Sequence, residues 1–294
     1  MRSILRLSFA SGFLLLASYA SNFGQDKLKI AIIPKSDLRS HWQSIHAGAQ
    51  AEGEASGKVE VEWRAPKKDQ DLSQQIAIVE QCIEEGMSGI VLAPLDFDVL
   101  ESPVARAQKK GIPVVIIDSR LKGESGKDYV SFVASDSRNG GMLAAEEMAR
   151  LIGEKGKVTV LRFDVGQANL TEREEGFIRA LGKYKDIQVD AEIRIGKPTM
   201  EEVTAAGMSM IDRLKNTDGL FCSSESLTKG MLGALRKANL AGKIKFIGFD
   251  TSTPLVEALK KGEINALVAQ DPTKMGYFAV KTVAPIFAEI RYNQ

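Results

Sequence analysis

The sequence predicts an α/β protein built as two doubly wound parallel-sheet lobes joined by several chain crossings. Three observations predict it. Apolar runs such as Ile30-Ala31-Ile32-Ile33 and Val114-Val115-Ile116-Ile117 are continuous rather than alternating, as in strands covered on both faces. Almost every run is followed by a stretch with helical periodicity, the order that builds parallel sheets. About ten such strands occur, more than one compact doubly wound sheet of this length would hold. A closed barrel is the rival, but it wants eight strand–helix pairs in one domain.

The first strand covers 28–33, and a helix follows over 41–56. A strand at 59–63 leads into a helix at 71–85. Short β-rich runs at 89–93 and 113–117 flank a helix at 99–110. The strand at 130–134 follows with only a loop, 119–129, before it, and the missing helix places the first crossing between lobes there. Helix 137–152, strand 157–162, helix 171–183 and strand 187–195 come next. Helix 200–215, strand 219–222, helix 226–239, strand 244–248, helix 253–261, strand 264–269 and helix 273–290 complete the alternation. Val203, Gly207, Met210 and Leu214 share one helical face, as do Leu227, Met231, Ala234 and Ala238. Thr171-x-x-Glu174 and Thr199-x-x-Glu202 fit capping boxes, and Asp271-Pro272 fits an N-cap before a first-turn proline. No repeat or long linker is visible, so the lobes are joined by crossings rather than a tether.

The first 20 residues read as a cleaved leader. Arg2 and Arg6 precede an apolar stretch from Leu7 to Ala17, and Ser18-Tyr19-Ala20 offers small residues for cleavage after Ala20. The stretch is too short for a spanning helix, which needs ~20 residues. Export to the periplasm follows as the expected location. Removing the leader takes away two basic residues and no acid, leaving 37 basic and 38 acidic residues.

The 294 residues carry 39 Lys and Arg against 38 Asp and Glu, a net charge of +1 with no basic surplus for nucleic acid. A hydrophobic share of 44% with 26% charged residues is ordinary for a globular chain and speaks against disorder. Two Cys and two His exclude a disulfide scaffold or a multi-ligand zinc site, so neither metal nor cofactor is expected. Cys82 and Cys222 read as buried free thiols.

In α/β sheets, ligands lie beyond the carboxyl ends of the strands. The run at 114–117 ends in Asp118-Ser119-Arg120, and the run at 246–249 ends in Asp250. Gln270 follows 267–269, and Ser223-Ser224-Glu225 follows 220–222. The first strand ends in a loop running from Pro34 through Arg39 to His41-Trp42, and Arg173 falls in the first turn of the helix expected at 171. Carboxylates, a guanidinium, an amide and an indole at such positions suit a polyhydroxyl ligand, whose hydroxyls both donate and accept. Each residue also has a plainer reading: strand-end Asp as a helix cap, Trp42 and His41 as packing, Arg173 as a surface ion pair.

The chain resembles the type I periplasmic sugar-binding proteins of ABC importers, in particular those that take ribose. The resemblance rests on Ile30 to Ile33, Trp42 through Gly48-Ala49, Gly111 through Asp118, Ser135-Asp136 through Gly140-Gly141, Arg173 through Phe177, Gly248-Phe249-Asp250, and Gln270-Asp271-Pro272 through Met275-Gly276. It implies two lobes closing on a ligand by a hinge, with 28–134 plus 271–294 as the N-terminal lobe and 135–270 as the C-terminal one. Hinge crossings are implied near Ser135-Asp136 and Gln270-Asp271, with a third crossing and a last strand lying beyond residue 294. Asp118, Arg173, Asp250 and Gln270 match the family's ligand contacts, and His41 and Trp42 match its two first-loop aromatics. Arg39 and Ser224 stand where ribose binders have Asn, and Ser119, beside Arg120, stands where they have Arg. The implied partners are a small sugar-like ligand, the importer's membrane permease, and a chemoreceptor or sensor kinase, with the chain itself a monomer. Two further readings stay open: binding of an autoinducer or other small polar solute for signalling, and the effector domain of a Lac-repressor-type regulator. No Gly-x-Ser-x-Gly or phosphate-cradling loop marks an enzyme.

Overall fold

Two parallel sheets account for all the named strands. The computed structural model describes residues 27–292, except 38–39, 69–70, 164–166 and 197–198. The leader and Arg39 therefore lie outside the described residues.

The first sheet uses β1 (Leu28–Ile33), β2 (Val59–Trp63), β3 (Gly89–Leu92), β4 (Val114–Ile117) and β5 (Ser131–Val133) in the order β2-β1-β3-β4-β5. Between them run α1 (Ser40–Ser56), α2 (Leu72–Glu84) and α3 (Glu101–Lys109). The second sheet uses β6 (Lys155–Phe163), β7 (Asp186–Asp190), β9 (Gly219–Cys222), β10 (Lys245–Phe249) and β11 (Ala266–Val268), with β8 (Arg194–Ile195) paired to the end of β6. Its order, β7-β6-β9-β10-β11, repeats the first, so each sheet has its topological switch beside its own first strand. The helices of this half are α4 (Ser137–Ile152), α5 (Ala168–Leu181), α6 (Met200–Ser209), α7 (Ile211–Leu214), α8 (Glu225–Lys237) and α9 (Thr253–Lys260). The last helix, α10 (Pro272–Tyr292), returns to pack on α1 and the first sheet.

The continuous apolar runs are explained by burial on both faces. Along β1, Ala31 and Ile33 join one core cluster while Ile30 and Ile32 join another across the sheet. Leu220 and Cys222 of β9 likewise face one cluster and Phe221 the other, stacked on Phe177 with centroids 4.0 Å apart. Fully burying side chains of this size contributes ~1.5–3 kcal/mol each. Cys82 and Cys222 are both buried and unpaired, as read from the sequence.

Glycines set the two tightest helix crossings. A Cβ on Gly48 of α1 would run into the Thr273 carbonyl of α10, and one on Gly276 would run into the Ile45 carbonyl. In the other half, Gly141 of α4 abuts the Arg173 carbonyl of α5, and Gly176 abuts the Arg138 carbonyl. Backbone thus meets backbone at equivalent places in the two halves.

Several expected elements differ. The strand expected at 187–195 is two strands, and the helix expected at 200–215 is broken at Met210, which ends α6 with φ −104° and ψ 16°. The loop 119–129 does not change sheets, because β5 pairs in parallel with β4; the chain first enters the second sheet after β5. The Thr199 capping box is present in both its halves, and Asp271 accepts from the Lys274 N–H at 3.0 Å. The Thr171 box is not: α5 starts at Ala168, so Thr171 lies inside the helix and Glu174 turns to the core.

Replacing Gly48 or Gly276 by Ala is expected to destabilise the protein by ~1–3 kcal/mol, the range for overpacked contacts. Gly196→Ala, where a Cβ meets nothing within 4 Å, should stay within ~0.5 kcal/mol of the parent. Urea unfolding of the three variants measures the difference, and equal midpoints would show that the crossings can relax.

Candidate functional site

The carboxyl ends of both sheets open onto one cleft. Two aspartates reach it in the same way. Asp118 follows β4 with φ 62°, and Asp250 follows β10 with φ 68°. Each donates its backbone N–H to the last residue of the neighbouring edge strand, Asp118 to the Val133 carbonyl at 3.2 Å and Asp250 to the Val268 carbonyl at 2.9 Å. The left-handed backbone is one that Asp tolerates better than most residues. Neither Asp is a helix cap.

Asp118 is the hub of the first half. Its Oδ2 lies 2.8 Å from Lys35 Nζ, a pair in which both side chains are buried. Asn169 of α5 reaches across from the other half and donates Nδ2 to the same oxygen at 3.1 Å. His41 Nε2 lies 3.3 Å from Oδ1, without hydrogen-bond alignment. Burial alone would raise the Asp118 pKa, but Lys35, His41 and Arg173 together hold it well below the usual carboxylate range.

Arg173 is the hub of the second half. Its Nη1 donates to the Ser223 carbonyl at 3.1 Å and its Nη2 to Gln270 Oε1 at 3.0 Å. Gln270 Nε2 in turn donates to Asp250 Oδ1 at 2.6 Å. The guanidinium carbon sits 4.2 Å from the Phe249 ring centroid, a cation–π contact. Next along α5, Glu174 accepts from the Phe163 N–H at 2.7 Å, Arg162 Nε at 3.0 Å and the Ser223 hydroxyl at 3.0 Å. Burial pushes the Glu174 pKa up despite these bonds.

The cleft holds about 440 Å³ of space between atoms, counting what is open to solvent. Of the residues expected from the sequence, it brings together His41, Trp42, Asp118, Arg173, Ser224, Asp250 and Gln270. Trp42 is mostly embedded in the core beside Ile45. Ser224 caps α8, accepting from the Leu227 N–H at 3.3 Å. Ser119 and Arg120 do not line the cleft: Ser119 Oγ accepts from the Asn169 N–H at 3.4 Å, and the exposed Arg120 pairs with Glu172 at 2.9 Å. Arg173 is the sixth residue of α5 rather than a first-turn residue.

Lys35, Asn169 and Glu225 also line the cleft, and sequence reasoning did not select them. Lys35 and Glu225 stand in the very strand-end segments quoted above, but nothing local says that either is buried. Asn169 was hidden by the misplaced helix start.

Among the described residues, buried side-chain nitrogens and oxygens without a hydrogen bond occur on His41, Arg173, Glu225 and Ser252. The first three line this cleft, and Ser252 lines an adjoining chamber that shares His41, Glu225, Asp250 and Gln270 with it. Buried polar groups are almost always bonded, so unsatisfied ones gathered in one place mark where a polar ligand would complete them.

Comparison with known proteins agrees with this geometry. The profile of the family described as "Periplasmic binding protein domain" matches residues 30–288. The D-ribose/D-allose-binding protein of Pseudomonas aeruginosa is 28% identical over 291 residues, covering 96% of this chain and 89% of that protein. The periplasmic component of an ABC-type sugar transport system from Hahella chejuensis superposes with a TM-score of 0.83 at 30% identity, covering 89% of this chain and 94% of the other. An ABC transporter solute binding protein from Agrobacterium vitis, solved with bound D-fucose, superposes with a TM-score of 0.84 at 29% identity, covering 89% of this chain and 90% of the other.

Lys35→Met is expected to cost ~3–5 kcal/mol, because it leaves the Asp118 charge buried without its cation. In the parent, Asp118 has a lowered pKa, so its contribution is present above the ordinary 3.8 and is lost only as pH falls through the lower folded value. In the variant, burial raises the Asp118 pKa, and the deficit should shrink on going from pH 7 to pH 5. Urea unfolding at both pH values checks this; a deficit independent of pH would mean that Lys35 contributes by packing alone.

Proposed function

The chain belongs to the periplasmic binding protein family, and from that premise we propose that it captures a sugar or similar small polyhydroxyl ligand between its two lobes and delivers it to an ABC importer. One observation carries the reading: the gathering of unsatisfied buried polar atoms of His41, Arg173, Glu225 and Ser252 around one cleft. Sugar hydroxyls can donate to the carboxylates of Asp118 and Asp250 and accept from Arg173 Nε and His41. Hydrogen bonds to charged groups contribute roughly 1.5–3 kcal/mol each.

Asp118, His41 and Trp42 hold the ligand from 28–134, and Arg173, Ser224, Asp250 and Gln270 hold it from 135–270. Arg39, between β1 and α1 in the sequence, is a further ligand contact. The lobe boundaries fall near Ser135-Asp136 and Gln270-Asp271, and the final helix completes the first lobe. The protein binds without chemical turnover, acts as a monomer after cleavage behind Ala20 in the periplasm, and presents its closed form to the membrane permease. A chemoreceptor or sensor kinase reads the same closed form. A ligand reaching groups on both lobes favours the arrangement in which they meet, and so shifts the population toward closure.

Calorimetry with a panel of pentoses, hexoses and polyols is expected to find a ligand binding one site per chain and recovered unaltered. Asp250→Ala should weaken that ligand by roughly 2–4 kcal/mol through unpaired hydroxyls in a dry cleft. Solution scattering should show a smaller radius of gyration with ligand bound. Turnover of the ligand, or an Asp250→Ala affinity within threefold of the parent, would defeat the reading.

A further inference from the structure

The ligand contacts assigned above use the inner part of the cleft. An outer chamber of about 500 Å³, counting the space open to solvent, adjoins it and shares His41, Glu225, Asp250 and Gln270 with it. Two of its side chains stand in unusual states. Glu225 is the first residue of α8 and only 3% exposed, yet neither carboxylate oxygen has a hydrogen bond. The Lys229 ammonium lies 2.5 Å from Oε1 but off the hydrogen-bonding direction, so charge is balanced while the lone pairs are not. Ser252 occupies the N-cap position of α9, where a serine normally caps, but its buried hydroxyl makes no capping bond.

The chemistry of this chamber is selective. Five Ser and Thr residues line it, together with the carboxylates of Glu225 and Asp250, and neither lysine nor arginine is among its described lining residues. With Glu225 neutralised by Lys229 and no lysine or arginine among the described lining residues, the chamber offers a phosphate or a uronic acid no cation to pair with. Acceptor-only carboxylates beside hydroxyls call for a neutral group rich in O–H donors. The chamber adjoins the inner cleft and shares four lining residues with it, His41, Glu225, Asp250 and Gln270.

We propose that the outer chamber is a second subsite, in which Glu225 and Ser252 bind a second, neutral sugar unit linked to the one in the inner cleft. Resting on the sugar-binding reading, it extends the ligand class from monosaccharides to disaccharides and related glycosides.

Calorimetry on the full chain tests it with aldopentoses, aldohexoses, disaccharides built from them and the corresponding sugar phosphates. At least one disaccharide is expected to bind tenfold or more tightly than its constituent monosaccharide, with no gain for any phosphate. Glu225→Gln and Ser252→Ala should each shrink that disaccharide-to-monosaccharide ratio at least threefold, and Ser252→Thr should restore it. Monosaccharides binding as well as every disaccharide would overturn the subsite, as would a ratio that neither substitution changes. Binding by no sugar in the panel would bring down the sugar reading itself, and the subsite with it.

Discussion

A parallel sheet covered on both faces leaves its polar chemistry only one outlet, the ends of its strands. Every face position of β3, β4 and β9 is buried among apolar neighbours. Side chains that meet a ligand are therefore carried past the strand ends, by Asp118 and Asp250 directly after their strands and by Arg173 from the helix that follows β6. Repeating one strand order in both halves turns two such edges toward each other, and the left-handed Asp118 and Asp250 are the matched result. The same backbone geometry that ends the strand aims the carboxylate, so conformation and recognition rest on a single residue in each lobe.

Charges gathered this way must be compensated without water. Lys35 answers Asp118 directly, and Gln270 links Asp250 to the Arg173 guanidinium. The lobes are already in contact through this set, since Asn169 spans to Asp118 and Arg120 to Glu172. What remains unbonded within it is confined to a few atoms facing the cleft, which is how a binding site differs from a merely satisfied polar core.

Much of the fold was legible because strand burial writes itself into continuous apolar runs and because helix ends use recognisable chemistry. Thr199 and Asp271 announced their helices correctly. Thr171 misled because the same residue types served another purpose: Glu174, needed at the box's third position, is instead committed to the Phe163 N–H and the Ser223 hydroxyl. Met210 shares the apolar face of Val203 and Leu214, so periodicity carried straight through a break that lies in the backbone. Within the site, Asp118, Arg173, Asp250 and Gln270 were visible by their place after strands or by family resemblance. Lys35 and Glu225 were not, since burial of a charge depends on what arrives from elsewhere in the chain. Gly48, Gly141, Gly176 and Gly276 entered the sequence reading only within the stretches that carry the family resemblance; close helix crossings supply their physical reason.

The place of α10 bears on the order in which the chain can fold during synthesis. The second sheet and its helices come from one unbroken stretch, so that half can assemble from contacts near in sequence. The described strands of the first sheet are all made by β5, but α10, which packs along α1 and against β3 and β4, is made after every other described element. Closing that contact spans nearly the whole chain, and contacts of such separation form slowly. The N-terminal half, although translated first, is thus the later to reach its final packing. Until α10 docks, the apolar surface around Ile45, Ala49 and Val91 lacks its cover, and that interval is when this protein is most open to aggregation or capture by a chaperone.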